Sequence, residues 1–173
     1  MTKWQFALAL VLTTGTAVPL HAELNAPIAA RVLAFLLPPP RGAVEAAIIF
    51  DPQNAMSIAD TAAIERAIGA GITVGPTVVR TRRIAITTLD NVRGVRAAFV
   101  TAGLRKEQQD AIAAVAVRES LVTITSDLPC VQAARCVVAI GSGPHVQITV
   151  SRAASRAVKA RFGSAFLMLV KEI

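Results

Sequence analysis

Continuous apolar runs alternate with amphipathic stretches along most of the chain. Residues 44–50 predict a buried strand, because residues 47–50 form a continuous apolar run of the kind found in parallel sheets with both faces covered. Ile58, Ile64 and Ile68 then carry the apolar face of a predicted helix, and residues 72–79 again have strand character. This strand–helix–strand order predicts a right-handed crossover between two parallel strands.

The helix of this unit is predicted to begin at Ser57. A serine hydroxyl at that position accepts a hydrogen bond from a free N–H group of the first turn, and Asp60, three residues later, completes a variant of the capping box. Gly69 and Gly71 mark the end of the helix, because glycine readily adopts the left-handed conformation that closes many helices.

The second half of the chain repeats this alternation and then changes character. Residues 97–100 and 121–124 are strand-like, with a helix predicted between them over residues 106–117. The apolar stretches 136–140 and 146–150 flank a glycine-rich turn and predict a β-hairpin. The whole pattern predicts an α/β fold: a single-domain, three-layer sandwich with a mostly parallel sheet and a C-terminal antiparallel hairpin.

The first 22 residues are typical of a secretory signal. Lys3 supplies the positive charge at the start, residues 6–12 supply the apolar segment, and Ala22 is the small residue at the cleavage site. A membrane anchor is the alternative, but the apolar part is short and is interrupted by threonines and a glycine. We therefore predict a signal peptide over residues 1–22 and one periplasmic domain over residues 23–173.

The charge of the chain narrows the class of partner. The net charge of +7 falls to +6 when the signal is removed, because Lys3 is the only charged residue in it. Such a basic chain suits nucleic acid, but export argues against that partner. An anionic membrane surface or an acidic protein face fits better.

A basic helix near the C-terminus provides the candidate contact surface. Ser151 is expected to cap a helix that runs to about Arg161. Arg152, Arg156 and Lys159 lie on one face of that helix, at spacings of four and three residues. We predict that these three side chains bind a partner; the alternative is a solvated charged stripe.

Cys130 and Cys136 are the two cysteines of the chain. In an oxidising compartment two cysteines this close are expected to pair. The alternative, half of a metal site, lacks further ligands, because His145 is the one histidine left after signal removal and the C-x5-C spacing fits no common zinc pattern. We predict a disulfide, and neither a metal nor another cofactor.

Four polar residues form the candidate ligand site. Asp51 and Asn54 follow the first predicted strand of the sheet, and Ser126 and Asp127 follow the fourth. In an open parallel sheet, ligands bind at the loops that follow the carboxyl ends of the strands. The alternative is ordinary turn chemistry, in which aspartate and asparagine are common.

The sequence contains no evident catalytic constellation. Gly141-Ser142-Gly143 is followed by neither a helix nor a lysine, so it is a hairpin turn rather than a phosphate loop. A serine hydrolase that used Ser142 and His145 would also need an orienting acid and an oxyanion hole, and the sequence indicates neither. We predict a protein without enzymatic activity and assign no catalytic residue.

The C-terminal half resembles the YfiR-like periplasmic family. The resemblance covers roughly residues 95–173 and is carried by residues 120–127, by Cys130 and Cys136 before an apolar strand, and by the closing segment 162–167. It implies an exported regulator that holds in check a membrane-anchored signalling protein, such as a diguanylate cyclase or a sensor kinase. It also implies that the two cysteines are the pair that supports folding in that family.

The first half is similar to one lobe of an ABC-type periplasmic substrate-binding protein. The similarity lies in residues 51–54, in Ser57 with its helix, and in Gly71-Ile72. Such proteins bind their ligand between two lobes, and this chain is long enough for one. The alternative function implied by this resemblance is a small-ligand-binding module. A homodimer is left open.

Overall fold

A computed structural model describes residues 23–141 and 145–173 of the chain. Two predictions lie outside the described residues. One is the signal peptide over residues 1–22, and the other is the tip of the hairpin with Ser142.

The described residues form six α-helices, two short 3₁₀ segments and eight strands in one sheet. The helices are α1 (Ala26–Val32), α2 (Ala55–Ile68), α3 (Lys106–Glu119), α4 (Leu128–Gln132), α5 (Arg152–Ala157) and α6 (Ser164–Leu167), and the 3₁₀ segments are Leu33–Phe35 and Ile86–Val92. The strands are β1 (Gly42–Phe50), β2 (Ile72–Val74), β3 (Thr77–Ala85), β4 (Ala97–Val100), β5 (Val122–Thr125), β6 (Val138–Gly141), β7 (Gln147–Val150) and β8 (Lys171–Glu172).

The sheet has the strand order β2-β3-β1-β4-β5-β6-β7-β8. Strands β3, β1, β4, β5 and β6 run parallel, whereas β2 pairs antiparallel with β3 and β7 pairs antiparallel with β6. The crossover through α2 leads from β1 to one side, and the crossover through α3 leads from β4 to the other side. Because such crossovers are right-handed, α2 and α3 cover opposite faces of the sheet. The predicted α/β sandwich, with its C-terminal antiparallel hairpin, is confirmed.

The core is centred on the middle strands. Ile48 of β1, Phe99 of β4 and Ile124 of β5 form one row across three adjacent strands, and none of them is exposed to solvent. Every residue of β4 and β5 is buried, because helical layers cover both faces of the sheet there. This packing gives the loops at the strand ends a rigid base.

The strand predicted over residues 72–79 is in fact a hairpin. Strands β2 and β3 pair antiparallel around Gly75-Pro76. Gly75 has a φ of +56°, a left-handed conformation that suits glycine in a tight turn. Strand β3 continues to Ala85 and is the parallel partner of β1. The predicted parallel crossover is therefore present, with β3 as its second strand.

The predicted start of α2 is wrong. Asn54 caps this helix, because its Oδ1 accepts hydrogen bonds from the N–H groups of Met56 (3.0 Å) and Ser57 (3.1 Å). Ser57 therefore lies inside the first turn. Asp60 does not complete a capping box either, since its Oδ2 accepts instead from the N–H of Ala102 (2.8 Å).

The predicted basic helix is shorter than expected. Ser151 caps α5 as predicted, with its Oγ 3.3 Å from the N–H of Ala154. The helix ends at Ala157 instead of near Arg161, and Lys159 has a left-handed φ of 58°. Arg152 and Arg156 thus lie on one helix, but Lys159 lies beyond its end, and the predicted three-residue stripe is broken.

The predicted disulfide is confirmed. Cys130 of α4 is bonded to Cys136, with a Cα–Cα distance of 5.3 Å, so the bridge ties α4 to the chain that enters β6. Within residues 23–141 and 145–173, no helix combines the length and apolar character that crossing a bilayer requires.

Candidate functional site

The loops after β1 and β4 flank the point where the connections of the sheet diverge. From β1 the chain crosses to β3 on one side, and from β4 it crosses to β5 on the other. In open α/β sheets ligands bind in the crevice outside such a point, which here lies between the carboxyl ends of β1 and β4. Residues 51–54 and 101–105 form its two sides.

Asp51 fastens the β1 loop to the start of α3. Its Oδ2 accepts a hydrogen bond from Gln108 Nε2 (2.7 Å), and its Oδ1 accepts one from the N–H of Gln53 (2.9 Å). Gln108 in turn accepts from the N–H of Arg105 through its Oε1 (2.8 Å). One glutamine therefore joins the two sides of the crevice.

Asn54 makes a second link across the crevice. Its Nδ2 donates to the carbonyl of Gly103 (3.0 Å) while its Oδ1 caps α2. Gly103 has a φ of +81°, and a Cβ atom there would lie 2.8 Å from Asn54 Oδ1. Both the left-handed backbone and the close approach thus require glycine at this position.

Ser57 and Thr101 connect the elements beneath the two loops. Thr101 Oγ1 donates its proton to the carbonyl of Ile49 (3.0 Å), so the Ser57 hydroxyl is the donor in the 2.6 Å hydrogen bond between Ser57 and Thr101. Ser57 Oγ also accepts from the N–H of Asp51 (2.8 Å). This chain of hydrogen bonds fixes α2 against β1 and β4.

Ser126 and Asp127 follow β5 at the same edge of the sheet. Asp127 Oδ2 accepts from Gln109 Nε2 (2.7 Å), and its Oδ1 accepts from the N–H of Cys130 (3.3 Å) at the start of α4. Ser126 is half-buried beside it. The structure thus places all four predicted ligand residues at one edge, with Asp51 and Asp127 held by the adjacent glutamines of α3.

Sequence reasoning missed Thr101, Gln108 and Gln109. The two glutamines precede the buried Ile112 by four and three residues, which places them on the inner face of α3, and both are buried. Glutamines at inward-facing positions in the first turn of a helix indicate hydrogen-bond partners on neighbouring loops, a signal that was available in the sequence.

Two aspartates of this region have pKa values shifted in opposite directions. The hydrogen bond from Gln108, with that from the Gln53 N–H, holds the pKa of Asp51 below its usual range. Burial raises the pKa of Asp60, an effect that the N–H groups of Ala102 and Leu24 only partly offset. Asp60 Oδ1 makes no hydrogen bond of normal geometry among the described residues.

These shifts have opposite consequences for stability. The contribution of Asp51 is present above its unfolded-state pKa and is lost as the pH falls, because the folded state favours the carboxylate. The contribution of Asp60 is present at low pH and is lost as the pH rises through its folded-state pKa, because the folded state favours the protonated acid.

We expect Asp60→Asn to remove the second of these effects. The free energy of unfolding of the variant should improve relative to wild type as the pH rises from about 4 to 7, since asparagine keeps an acceptor for Ala102 without a buried charge. Denaturant unfolding across this range measures the difference. Both proteins should carry a tag ahead of Glu23, because a free terminal ammonium group at Glu23 would lie near Asp60 and would itself change the pKa of Asp60. Parallel pH profiles for the two proteins would contradict the prediction.

The predicted partner-binding residues lie at a different surface. Arg152 pairs with Glu172 of β8, and Arg156 is exposed on α5. Nearby in the sequence, Met168 and Leu169 are 81% and 82% exposed. In residues 23–141 and 145–173, no three potential metal ligands come together.

Comparisons with known proteins show the fold alone. No family profile and no curated protein matches the sequence. A conserved domain protein from Vibrio cholerae is similar over 86% of this chain and 60% of its own, with a TM-score of 0.64 and 5% identity. The ligand-free, open structure of CD0873, a substrate-binding protein with adhesive properties from Clostridium difficile, is similar over 75% of this chain and 54% of its own, with a TM-score of 0.59 and 9% identity. The chain spans little more than half the length of these neighbours.

Proposed function

We propose that this chain is an exported, non-enzymatic binding module that recognises a small polar solute in the crevice between the β1 and β4 loops. The observation that carries the proposal is the hydrogen bond from Gln108 to Asp51, which joins the two sides of that crevice. Loops fixed in advance lose little conformational entropy when a ligand binds. The similarity of the fold to a substrate-binding protein supports the same function.

The charges at the crevice favour a solute that carries both signs. Asp51, with its lowered pKa, is ionised at neutral pH. Arg105 and Lys106 are exposed at the start of α3, where the helix dipole adds positive potential. An α-amino acid fits this pattern, with its ammonium group near Asp51 and its carboxylate near Arg105.

This chain corresponds to one lobe of a two-lobed binding protein, so a solute bound to it would be exposed to solvent on one side. A second copy of the chain, placed with its crevice against the first, would cover that side and increase the buried area. Solute binding should therefore be weak in the monomer and should favour a homodimer.

The proposal is tested by thermal unfolding of the exported protein with the common amino acids and small dicarboxylates. A solute present at ten times its dissociation constant adds about 1.4 kcal/mol of stability, a rise in Tm of roughly 3 °C for a domain of this size. Arg105→Gln should reduce the shift and Arg93→Gln, an exposed arginine outside the crevice, should not. If no amino acid stabilises the protein, or if small dicarboxylates stabilise it as well as amino acids do, the crevice does not recognise a solute of both signs.

The second candidate function is regulation by contact with a membrane-anchored signalling protein, such as a diguanylate cyclase or a sensor kinase. The exposed apolar pair Met168 and Leu169, close in sequence to exposed cations, favours it, as does the resemblance to the YfiR-like family. Photo-crosslinking from position 168 in the periplasm should then capture an inner-membrane protein, and Arg156→Glu should weaken the capture. Capture of the same proteins from position 111 on α3 would argue against a specific contact.

A further inference from the structure

A cleft of about 370 Å³ lies at the opposite, amino edge of the sheet. It is bordered by the amino-terminal ends of three strands, with Val44 of β1, Ala97 of β4 and Val122 of β5 among its lining residues. Its volume falls within the range of roughly 300–1,000 Å³ that is usual for small-molecule sites. The crevice between the β1 and β4 loops is at the other end of these strands, so the cleft is a separate site.

The floor of the cleft is apolar and its walls are fixed. Leu33, Val44, Val122 and Val158 are buried along it. One wall is the segment 36–41, in which three consecutive prolines hold the backbone dihedral φ and offer no N–H donor. The cleft therefore presents a rigid surface, part apolar and part polar, to an occupant.

Backbone hydrogen bonds tie that wall to the neighbouring segment 161–163. The N–H of Leu37 donates to the carbonyl of Arg161 (2.8 Å), and the N–H of Gly163 donates to the carbonyl of Phe35 (2.9 Å). Leu36 and Phe162 form a β-bridge between these two bonds. The cleft is thus formed before any ligand arrives.

The rim of the cleft carries four exposed cations: Arg41, Arg96, Lys159 and Arg161. No carboxylate lines the cleft, and in the part of the chain that the structure describes none of these four has a carboxylate oxygen within 4.0 Å. Other arginines of the domain do have acidic partners, namely Arg82, Arg83, Arg118, Arg135 and Arg152. Among the described residues, the cations of the rim therefore form no ion pair with a carboxylate.

Lys159 occupies its place on the rim in an unfavourable backbone conformation. Its φ of 58° is in the left-handed region, which favours glycine. The turn is held by hydrogen bonds from Lys159 N–H to the Arg156 carbonyl (3.1 Å) and from Ala160 N–H to the Ser155 carbonyl (2.9 Å). These two hydrogen bonds are those of a Schellman motif, which closes α5 and fixes the place of Lys159 at a position where glycine is usual.

We propose that this cleft binds a free, single-chain amphiphilic anion, such as a medium-chain fatty acid. The apolar chain lies on the floor, and the carboxylate meets the cations of the rim. The proposal goes beyond the solute site at the carboxyl edge and shares no residue with it, so either can fail without the other.

Fluorescence of anilinonaphthalene sulfonate, an aromatic anion that brightens in apolar sites, tests the proposal on the exported protein. The probe should bind saturably at one site, and decanoate should displace it where uncharged decanol does not. Arg96→Gln and Lys159→Gln should each weaken binding roughly tenfold, as expected for the loss of a charged hydrogen bond in a partly desolvated site. Arg93→Gln, which removes an exposed charge outside the cleft, should leave it unchanged.

Two further variants separate ligand binding from folding. Lys159→Gly should raise the Tm while it weakens probe binding, because glycine relieves the backbone strain and removes the charge. Ala160→Trp, at the lining of the cleft, should block the probe without a change of charge. An unaltered affinity in Ala160→Trp, or an equal loss in Arg93→Gln, would overturn the proposal.

Vesicles distinguish a free amphiphile from a lipid surface. If the ligand is a free amphiphile, decanoate should displace the probe. The protein should then sediment equally little with phosphatidylglycerol vesicles and with phosphatidylcholine vesicles. The proposal of a free ligand would be overturned in favour of a membrane surface by two results together. The protein would sediment with the anionic vesicles unless it carried Arg96→Gln, and decanoate would not displace the probe.

Discussion

Phe99→Ala should lower the free energy of unfolding by about 3–5 kcal/mol, the largest effect expected of any single substitution considered for this protein. Phe99 is the largest fully buried side chain and lies in β4 between Ile48 of β1 and Ile124 of β5. Truncation opens a cavity that neighbouring strands cannot fill, since each is held by its own ladder of hydrogen bonds.

Denaturant unfolding measures this loss. Because small domains are stable by only about 5–15 kcal/mol, Phe99→Leu provides a milder change that should lower stability by a smaller amount and still fold. Met168→Ala is the matched control, because that side chain is exposed, and it should change stability by less than about 0.5 kcal/mol. A loss below about 1 kcal/mol for Phe99→Ala would mean that the centre of the sheet is not packed as described.

Replacement of both Cys130 and Cys136 by alanine should lower the free energy of unfolding by about 2–3 kcal/mol. The bridge spans six residues, and closing a loop this short restricts the unfolded chain by an amount near the lower end of the usual range. Both cysteines are also buried at 1% exposure, so their removal loses some packing. The N–H of Cys130 donates to Asp127, so the bridge also supports one of the predicted ligand residues.

Reduction of the wild-type protein provides the comparison for this variant. A thiol reductant should lower the Tm of wild type towards that of the double variant and should leave the double variant unchanged. Free thiols detected in the unfolded protein show that the bridge has been reduced. If the Tm of the reduced wild type is then unchanged, the bridge does not contribute to stability as expected.

The fold class was predictable because it depends on features that are local in the sequence. Strand β4 and the end of β1 are continuous apolar segments, β5 is rich in β-branched residues, and α3 has amphipathic spacing. Helix ends were less predictable. Asn54 and Ser57 are both good caps in isolation, and the choice between them depended on Asp51 and Thr101, with which the Ser57 hydroxyl bonds.

The candidate ligand residues were placed at the correct edge of the sheet, but their hydrogen-bond partners were not foreseen. Parallel topology alone brings the ends of β1 and β5 to one edge, which is why Asp51, Asn54, Ser126 and Asp127 lie there. The glutamines of α3 that hold the two aspartates come from a different part of the chain, and only the folded structure brings them together. That these four residues bind a ligand stays a prediction.

The basic helix shows the limit of spacing arguments. Arg152, Arg156 and Lys159 share a face only if the helix continues past Lys159, and the chain instead turns at Val158. That turn places Lys159 in the lining of the amino-edge cleft, beside residues from the proline segment and the starts of three strands.

The sequence by itself determined the α/β class, the parallel crossover and the paired cysteines, because each follows from local apolar patterns or from short separation along the chain. Only the tertiary structure decided which polar groups satisfy one another at the carboxyl edge, and which cations meet around an apolar cleft at the amino edge. Those groups are far apart in sequence, and their distances are set by the packing of strands and helices that no local pattern records.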